Sequence, residues 1–285
     1  MFVIIGYVVV VGSVLGGFML HGGKLAALFQ PFELMIIAGA AIGAFVVSNN
    51  VKVLKAVAAA LPSCFKGSKY TKARYLALMA LLFDILTKIR KEGMMAIEGD
   101  VEEPDKSPLF QKHPEIASDH HLVEFMTDYL RIMVSGNMNP HEIEALMDQE
   151  LDTHHAEGHA PAHAVQQMAD GLPAFGIVAA VMGVVNVMGS VGEPPAILGA
   201  KIGAALVGTF VGILLAYGFV GPLATLLGQK LEEGTKELQC VKVTLLASLQ
   251  GYAPSLAIEF GRKVLFSTDR PSFLELEGHV KPKKH

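Results

Sequence analysis

The sequence predicts an all-α membrane protein. It should have four transmembrane helices, a large helical cytoplasmic insertion between the second and third, and a cytoplasmic C-terminal helix. Three observations carry that prediction. First, stretches near residues 2–20, 34–51, 172–192 and 202–228 contain no Asp, Glu, Lys or Arg. Each is long enough to cross a hydrocarbon core of about 30 Å at a rise of about 1.5 Å per residue. Second, 52% of residues are hydrophobic and mean hydropathy is positive, with the apolar residues gathered in those stretches. Third, of 23 Lys and Arg only Lys24 and Lys201 sit in or beside the short connections 21–33 and 193–201. The rest lie in the middle segment or the tail. By the positive-inside rule those regions face the cytoplasm, together with both termini. The expected organisation is a transmembrane hairpin at 1–51, a cytoplasmic helical domain at 52–170, a second hairpin at 171–228 and a cytoplasmic helix and tail at 229–285.

Ionisable residues inside a membrane usually mark ion pathways, and these four stretches hold none. If the chain moves an ion, the charged relay group must come from another polypeptide.

The first span has no basic n-region and no small-residue cleavage signature, so a cleaved signal peptide is not expected. Gly12 with Gly16, Gly39 with Gly43, Gly199 with Gly203 and Gly208 with Gly212 repeat the small-xxx-small spacing that lets helices approach closely in lipid. Packing inside one bundle and packing between subunits both fit that spacing. Among the few polar residues in the spans are Ser13, Ser48, Asn186, Thr209, Tyr217 and Thr225, whose hydroxyl and amide groups cost far less in lipid than charges.

In the insertion, Tyr75, Leu78, Leu82, Ile85, Leu86 and Ile89 recur at helical spacing from Thr71 to Lys91, and Gly93 ends the run. Residues 99–119 hold three prolines and many charges and read as an irregular loop. A helix over about 121–135 stops before Gly136. Another covers 140–153, with Asn139 as N-cap and Pro140 in its first position. The tail reads as helical from Gly228 to about Phe266 with a kink near Pro254. Residues 277–285 are polar and basic and are expected to be mobile. Cys64 and Cys240 both fall on the cytoplasmic side, where no structural disulfide is expected.

Several function classes drop out. A net charge of −4 gives no case for nucleic-acid binding. No Ser/His/Asp or Cys/His grouping, HExxH or phosphate-binding Gly loop is present, so neither an enzyme nor a cofactor is expected. His155, His159 and His163 are spaced four apart with His154 beside them. Pro161 should interrupt the helix that would align them, and no carboxylate or Cys completes a shell, so no metal is expected.

Two prolines border the later spans. Pro173 reads as a first-turn proline at the entry of span three, whereas helix continues past Pro222 near the exit of span four. The Pro222 ring should displace the carbonyl of Gly218 and bend the helix, either as a moving hinge or as a static kink. The run from Lys88 to Glu98 sets Arg90 and Lys91 before a turn and Glu98 after it. A solvated face and a bipolar docking surface both fit. Exposed pairs of about 0–1 kcal/mol each suit reversible contact.

Four segments then carry a resemblance: LFDILTKIRKEGMMAIEGDVEEPDKSPLFQKHP, FMTDYLRIMVSGNMNPHEIEALMDQEL, ADGLPAFGIVAAVMGVVNVMGS and LGAKIGAALVGTFVGILLAYGFVGPLA. In order and spacing they resemble the MotA family of flagellar stator subunits, within the wider group that includes the ExbB and TolQ energisers. The resemblance implies a homo-pentamer around a dimer of MotB in the bacterial inner membrane, each MotB chain bringing one transmembrane helix with an aspartate. It implies an ion channel that couples inward proton flow to torque on the rotor protein FliG. By position, Arg90 and Glu98 match the family's rotor-engaging charges, and Glu150 matches a further cytoplasmic acid of lesser role. Pro173 and Pro222 match prolines that couple protonation to movement. Thr209 and Tyr217 fall on the face that should meet the MotB helix. Sodium-driven relatives carry a Thr where this chain has Ala180, which favours the proton here. The alternative is an ExbB/TolQ-type energiser of an outer-membrane system. ExbB and TolQ have three spans, not four.

Overall fold

The computed structural model describes residues 2–136 and 139–280. Among them every regular element is helical: α1 (Phe2–Leu20), α2 (Pro31–Ser48), α3 (Val51–Ala60), α4 (Lys72–Glu92), α5 (His120–Ser135), α6 (Pro140–Met188), α7 (Pro195–Leu214), α8 (Gly221–Leu249), α9 (Pro254–Val264) and α10 (Phe273–Val280). Short turns fill the connections. The chain divides into two compact units. One comprises residues up to 67 with 157–230, the other 68–156 with 231–285. The divisions fall beyond the apolar stretches because residues 52–67 and 157–170 pack with the apolar helices.

Four helical segments, Phe2–Leu20, Leu25–Ser48, Pro140–Met188 and Pro195–Leu249, are long and apolar enough to cross a membrane. α1 buries none of its residues, and large apolar side chains stand exposed along all four. Such surface is tolerable only against lipid or another protein. Inside the first unit, Val57, Ala162, Ala164 and Val165 pack with Ala224 and Leu227, and Ile37 and Ala41 pack with Leu172, Ala179 and Ala216.

The second unit is a conventional helical core. Leu78, Leu82, Ile85 and Leu86 of α4 are at most 1% exposed and pack with Phe125, Met126 and Leu130 of α5, Ile143 and Met147 of α6, and Leu245 and Ile258. This is the stripe read from the sequence. Thr71 caps α4 by accepting from the Arg74 N–H at 3.3 Å. Asn139 accepts from the His141 N–H at 3.0 Å beside Pro140. A buried charge cluster ties the helices together. The Arg74 guanidinium donates to Glu237 at 2.6 and 3.0 Å, to Asp119 at 2.7 Å and to the Glu115 carbonyl at 2.7 Å. Burial pushes the Cys240 thiol up to about 12. Both cysteines are free and buried.

Several expectations are corrected. Residues 99–119 form a chain of short helical turns, Glu98–Glu102, Pro104–Lys106, Pro108–Gln111 and Pro114–Ala117. Three prolines open turns, where the missing N–H removes no bond, while Val101, Phe110 and Ile116 anchor the segment in the core. The helix expected at 140–153 continues to Met188 through Pro161 and Pro173. The core contacts of Ala162, Ala164 and Val165 outweigh the lost backbone bond. With no interruption at Pro161, His155, His159 and His163 share one helix face, and the Glu232 carboxylate lies 3.7 Å from the His155 imidazole. The stated ground against a metal is thereby removed. Pro173 is an interior proline, not a first-turn one. The tail breaks at Gly251, with φ +87°, and restarts with Pro254 in the first turn, so it is not merely kinked. Residues 273–280 form α10 with Leu276 buried, and residues 281–285 lie outside the described residues.

Candidate functional site

The segments bordered by Pro173 and Pro222 interlock through small residues. An added Cβ would sit 2.8 Å from the Gly208 carbonyl at Gly176, and 2.7 Å from the Leu172 carbonyl at Gly212. Backbones this close exclude any larger side chain. Of the spaced glycine pairs, Gly208 and Gly212 are therefore packed inside the chain. Gly12, Gly16, Gly39, Gly43, Gly199 and Gly203 meet nothing within 4 Å.

This seam places the sequence candidates unequally. Thr209 and Ala180 are half-buried at it, Thr209 beside Gly176 and the Ala180 amide beside Gly208. Tyr217 is 69% exposed and Pro222 is exposed, while Pro173 is half-buried within α6. On α6 the side chains of Ile177, Val181, Val185 and Met188 form an exposed apolar stripe at helical spacing.

Pro222 has no N–H to offer the carbonyl of Gly218, and the helix accommodates this by widening. Residues Leu215–Val220 adopt π register, closed by the Gly221 N–H donating to the Ala216 carbonyl. A Cβ at Gly221 would lie 2.9 Å from that oxygen. Pro222 is thus preceded by one π turn, a feature frequent at functional sites and at helix kinks.

Sequence reasoning missed three polar groups here. Tyr7 donates its hydroxyl to the Phe219 carbonyl at 3.0 Å. Lys201 reaches Ser190 Oγ at 2.6 Å and Glu193 at 3.1 Å, bridging the turn between α6 and α7. Glu33 lies in the first turn of α2, because that helix starts before the charge-free stretch. Its Oε2 is buried and lacks a hydrogen-bond partner among the described residues. The first-turn position was legible from Pro31, since proline is favoured there.

In the second unit, Arg90 ends α4 and the chain reverses at Gly93 with φ +91°, a conformation suited to glycine. Ile97 then plugs into the core at 0% exposure, which turns Glu98 outward. Asp100 accepts from Lys88 at 2.7 Å and from Ser107 Oγ at 2.6 Å, locking the turn from behind. Arg90 and Glu98 are exposed, and neither has an ion-pair partner among the described residues. Beside Glu98 opens a cleft of about 420 Å³ lined by Met95, Glu102, Arg131 and Val134. Glu150 is committed differently: it accepts from the Tyr129 hydroxyl at 2.6 Å, joining α5 to α6. Burial and that carboxylate together push the Tyr129 phenol above its ordinary range.

Comparison with known proteins adds the following. A family model described as "Motility protein A N-terminal" matches residues 4–93, and one described as "MotA/TolQ/ExbB proton channel family" matches residues 117–240. Motility protein A of Escherichia coli is 55% identical over 285 residues, covering 100% of this chain and 97% of the relative. Chemotaxis protein LafT of Vibrio parahaemolyticus is 37% identical, covering 96% of each. Among solved structures, the Bacillus subtilis flagellar MotAB stator complex matches with a TM-score of 0.73 at 26% identity, covering 90% of this chain and 92% of that one. The Campylobacter jejuni MotAB structure shares the fold, with a TM-score of 0.78 at 22% identity over 95% and 98%.

Proposed function

The chain belongs to the motility protein A family of MotA/TolQ/ExbB proton channel proteins, and from that premise we propose how its residues perform a stator subunit's work. With MotB it forms the channel that couples inward ion flow to rotation of the flagellar motor. The observation that carries this reading is the end-to-end likeness, 55% identity over all 285 residues, to a motility protein A.

In our reading the four apolar helices span the bacterial inner membrane, with both termini and the segment between α2 and α6 in the cytoplasm. Five copies surround two MotB helices. Among the described residues, the stretches 172–188 and 202–214 that meet at the seam carry no charged side chain, which supports a relay carboxylate supplied by MotB. Thr209 and Tyr217 meet the MotB helix. Ala180 offers no oxygen ligand beyond its backbone, which favours the proton over sodium. Pro173 and Pro222 transmit the protonation state of the MotB aspartate into helix movement. Arg90 and Glu98, held outward by the turn at Gly93, pass that movement to FliG, with Glu150 supporting them by fixing α5 to α6.

The magnitudes agree. A charge crossing about 150 mV releases about 3.5 kcal/mol, and inverting a two-state equilibrium takes about 5.5 kcal/mol. One or two protons per step are of the right order.

The test is complementation in a non-motile host lacking both subunits. Swimming should return only when the chain is expressed with MotB, persist in sodium-free medium and stop on addition of a protonophore. Sodium-dependent speed would overturn the ion assignment. Motility without MotB would overturn the division of labour, and failure with MotB would leave the ExbB/TolQ-type energiser as the better reading.

A further inference from the structure

Three contacts converge on the π turn before Pro222. The Tyr7 hydroxyl donates to the Phe219 carbonyl at 3.0 Å. The two rings lie 4.9 Å apart between centroids. One turn along α1, Val10 Cγ1 approaches Gly218 so closely that an added Cβ would be 3.1 Å away. Among the described residues α1 has no other side-chain hydrogen bond, and it buries no residue. Its single polar link is therefore spent on the one place where the neighbouring helix leaves α register.

The chemistry of that place makes the link conditional. A regular helix uses each interior carbonyl as acceptor for the N–H four residues on, and its second lone pair can still take a side-chain donor such as the Thr225 hydroxyl on Gly221. Pro222 removes one donor, so the Leu223 N–H can serve Gly218 in π register or Phe219 in α register, but not both fully. With Leu223 on Gly218, the Phe219 carbonyl would be left to Tyr7 alone. With Leu223 on Phe219, the phenol would share that oxygen with a second donor and hold it more weakly. The Tyr7 bond is therefore stronger in the first arrangement and favours it.

We propose that Tyr7 is a positioning residue for ion-driven movement: its hydroxyl holds the Phe219 carbonyl and so keeps the π turn in the wide register from which the Pro222 bend is set. Span one is then more than a lipid-facing wall. It selects one of two registers of the helix that carries Thr209 and Tyr217. The consequence for torque rests on the stator reading, whereas the register selection itself does not.

The test uses the full chain in complex with MotB, reconstituted in lipid, comparing wild type, Tyr7→Phe, Pro222→Ala and the double variant. Amide hydrogen exchange over residues 216–223 should be faster in Tyr7→Phe by about tenfold, the size expected of one ordinary hydrogen bond. Exchange over 176–188 should not change. In the Pro222→Ala background the Tyr7 substitution should add nothing, because the restored N–H closes the ladder without the phenol. In motors, Tyr7→Phe should lower stall torque at an unchanged amount of protein in the membrane. Wild-type exchange at 216–223 in Tyr7→Phe would overturn the proposal, and so would an equal rise along every apolar helix. If Tyr7→Phe does not accumulate, the double variant decides: rescue by Pro222→Ala supports the register account, and continued loss overturns it. A wild-type complex that gives no torque would sink the stator reading while leaving the exchange comparison intact.

Discussion

Lys88 and Asp100 form an ion pair at 2.7 Å behind the turn that presents Arg90 and Glu98, with Asp100 only 9% exposed and its second oxygen held by Ser107. The two outward charges therefore stand on a partly buried pair. Asp100→Ala would leave the Ser107 hydroxyl and a half-buried ammonium unpaired. It should cost about 1–3 kcal/mol of stability. Thermal melting of the detergent-solubilised protein by circular dichroism checks it, and motility should fall although neither Arg90 nor Glu98 is touched.

Reversing Arg90 and Glu98 themselves should behave in the opposite way. Both are exposed, so stability should stay within about 0.5 kcal/mol of wild type. Swimming should be lost and should return with complementary charge changes in FliG. Swarm diameter in soft agar reads both outcomes, and failure of every complementary pairing would make this corner a solvated face.

Pro173→Ala and Pro222→Ala each restore a backbone donor inside a helix. Both variants should insert and accumulate normally, since the added N–H favours the helix. Both should lose torque in tethered-cell assays. For Pro222→Ala the π turn at 215–220 should also shorten to α register, visible as slower amide exchange.

Asp119 sets a pH dependence for the second unit. Burial alone would raise its carboxyl, but the Lys69 ammonium and the Arg74 guanidinium outweigh it and hold it below the ordinary 3.8. A depressed carboxylate adds stability that is fully present above the unfolded value and disappears as pH falls through the folded one. The melting temperature should fall below about pH 4, and Asp119→Asn should melt lower than wild type at neutral pH with the gap closing on acidification.

Much of this was legible because hydropathy and helix periodicity are local. The charge-free stretches and the α4 stripe could be read directly, and so could Gly93, whose positive φ ends α4. Proline was read less well, because its effect depends on what packs around it. Pro161 and Pro173 look like helix ends in sequence, yet both lie within α6, and the buried Ala162, Ala164 and Val165 hold the first of them there. The prolines of 99–119 look like loop residues, yet they open helical turns around Phe110 and Ile116. The Tyr7–Phe219 bond was invisible for a different reason: its partners are 212 residues apart and the acceptor is a backbone carbonyl with no sequence signature. Glu33 lies one residue before the charge-free stretch near 34–51, whereas α2 already starts at Pro31, so hydropathy alone does not place it in the helix.

The most direct test of the account is proton flux into lipid vesicles containing the purified chain with and without MotB, repeated for Glu33→Gln. The account predicts flux only when MotB with its aspartate is present, and retention of that flux in Glu33→Gln. Selective flux through the chain alone, or its abolition by Glu33→Gln, would show that the relay acid is the chain's own and would contradict the central claim.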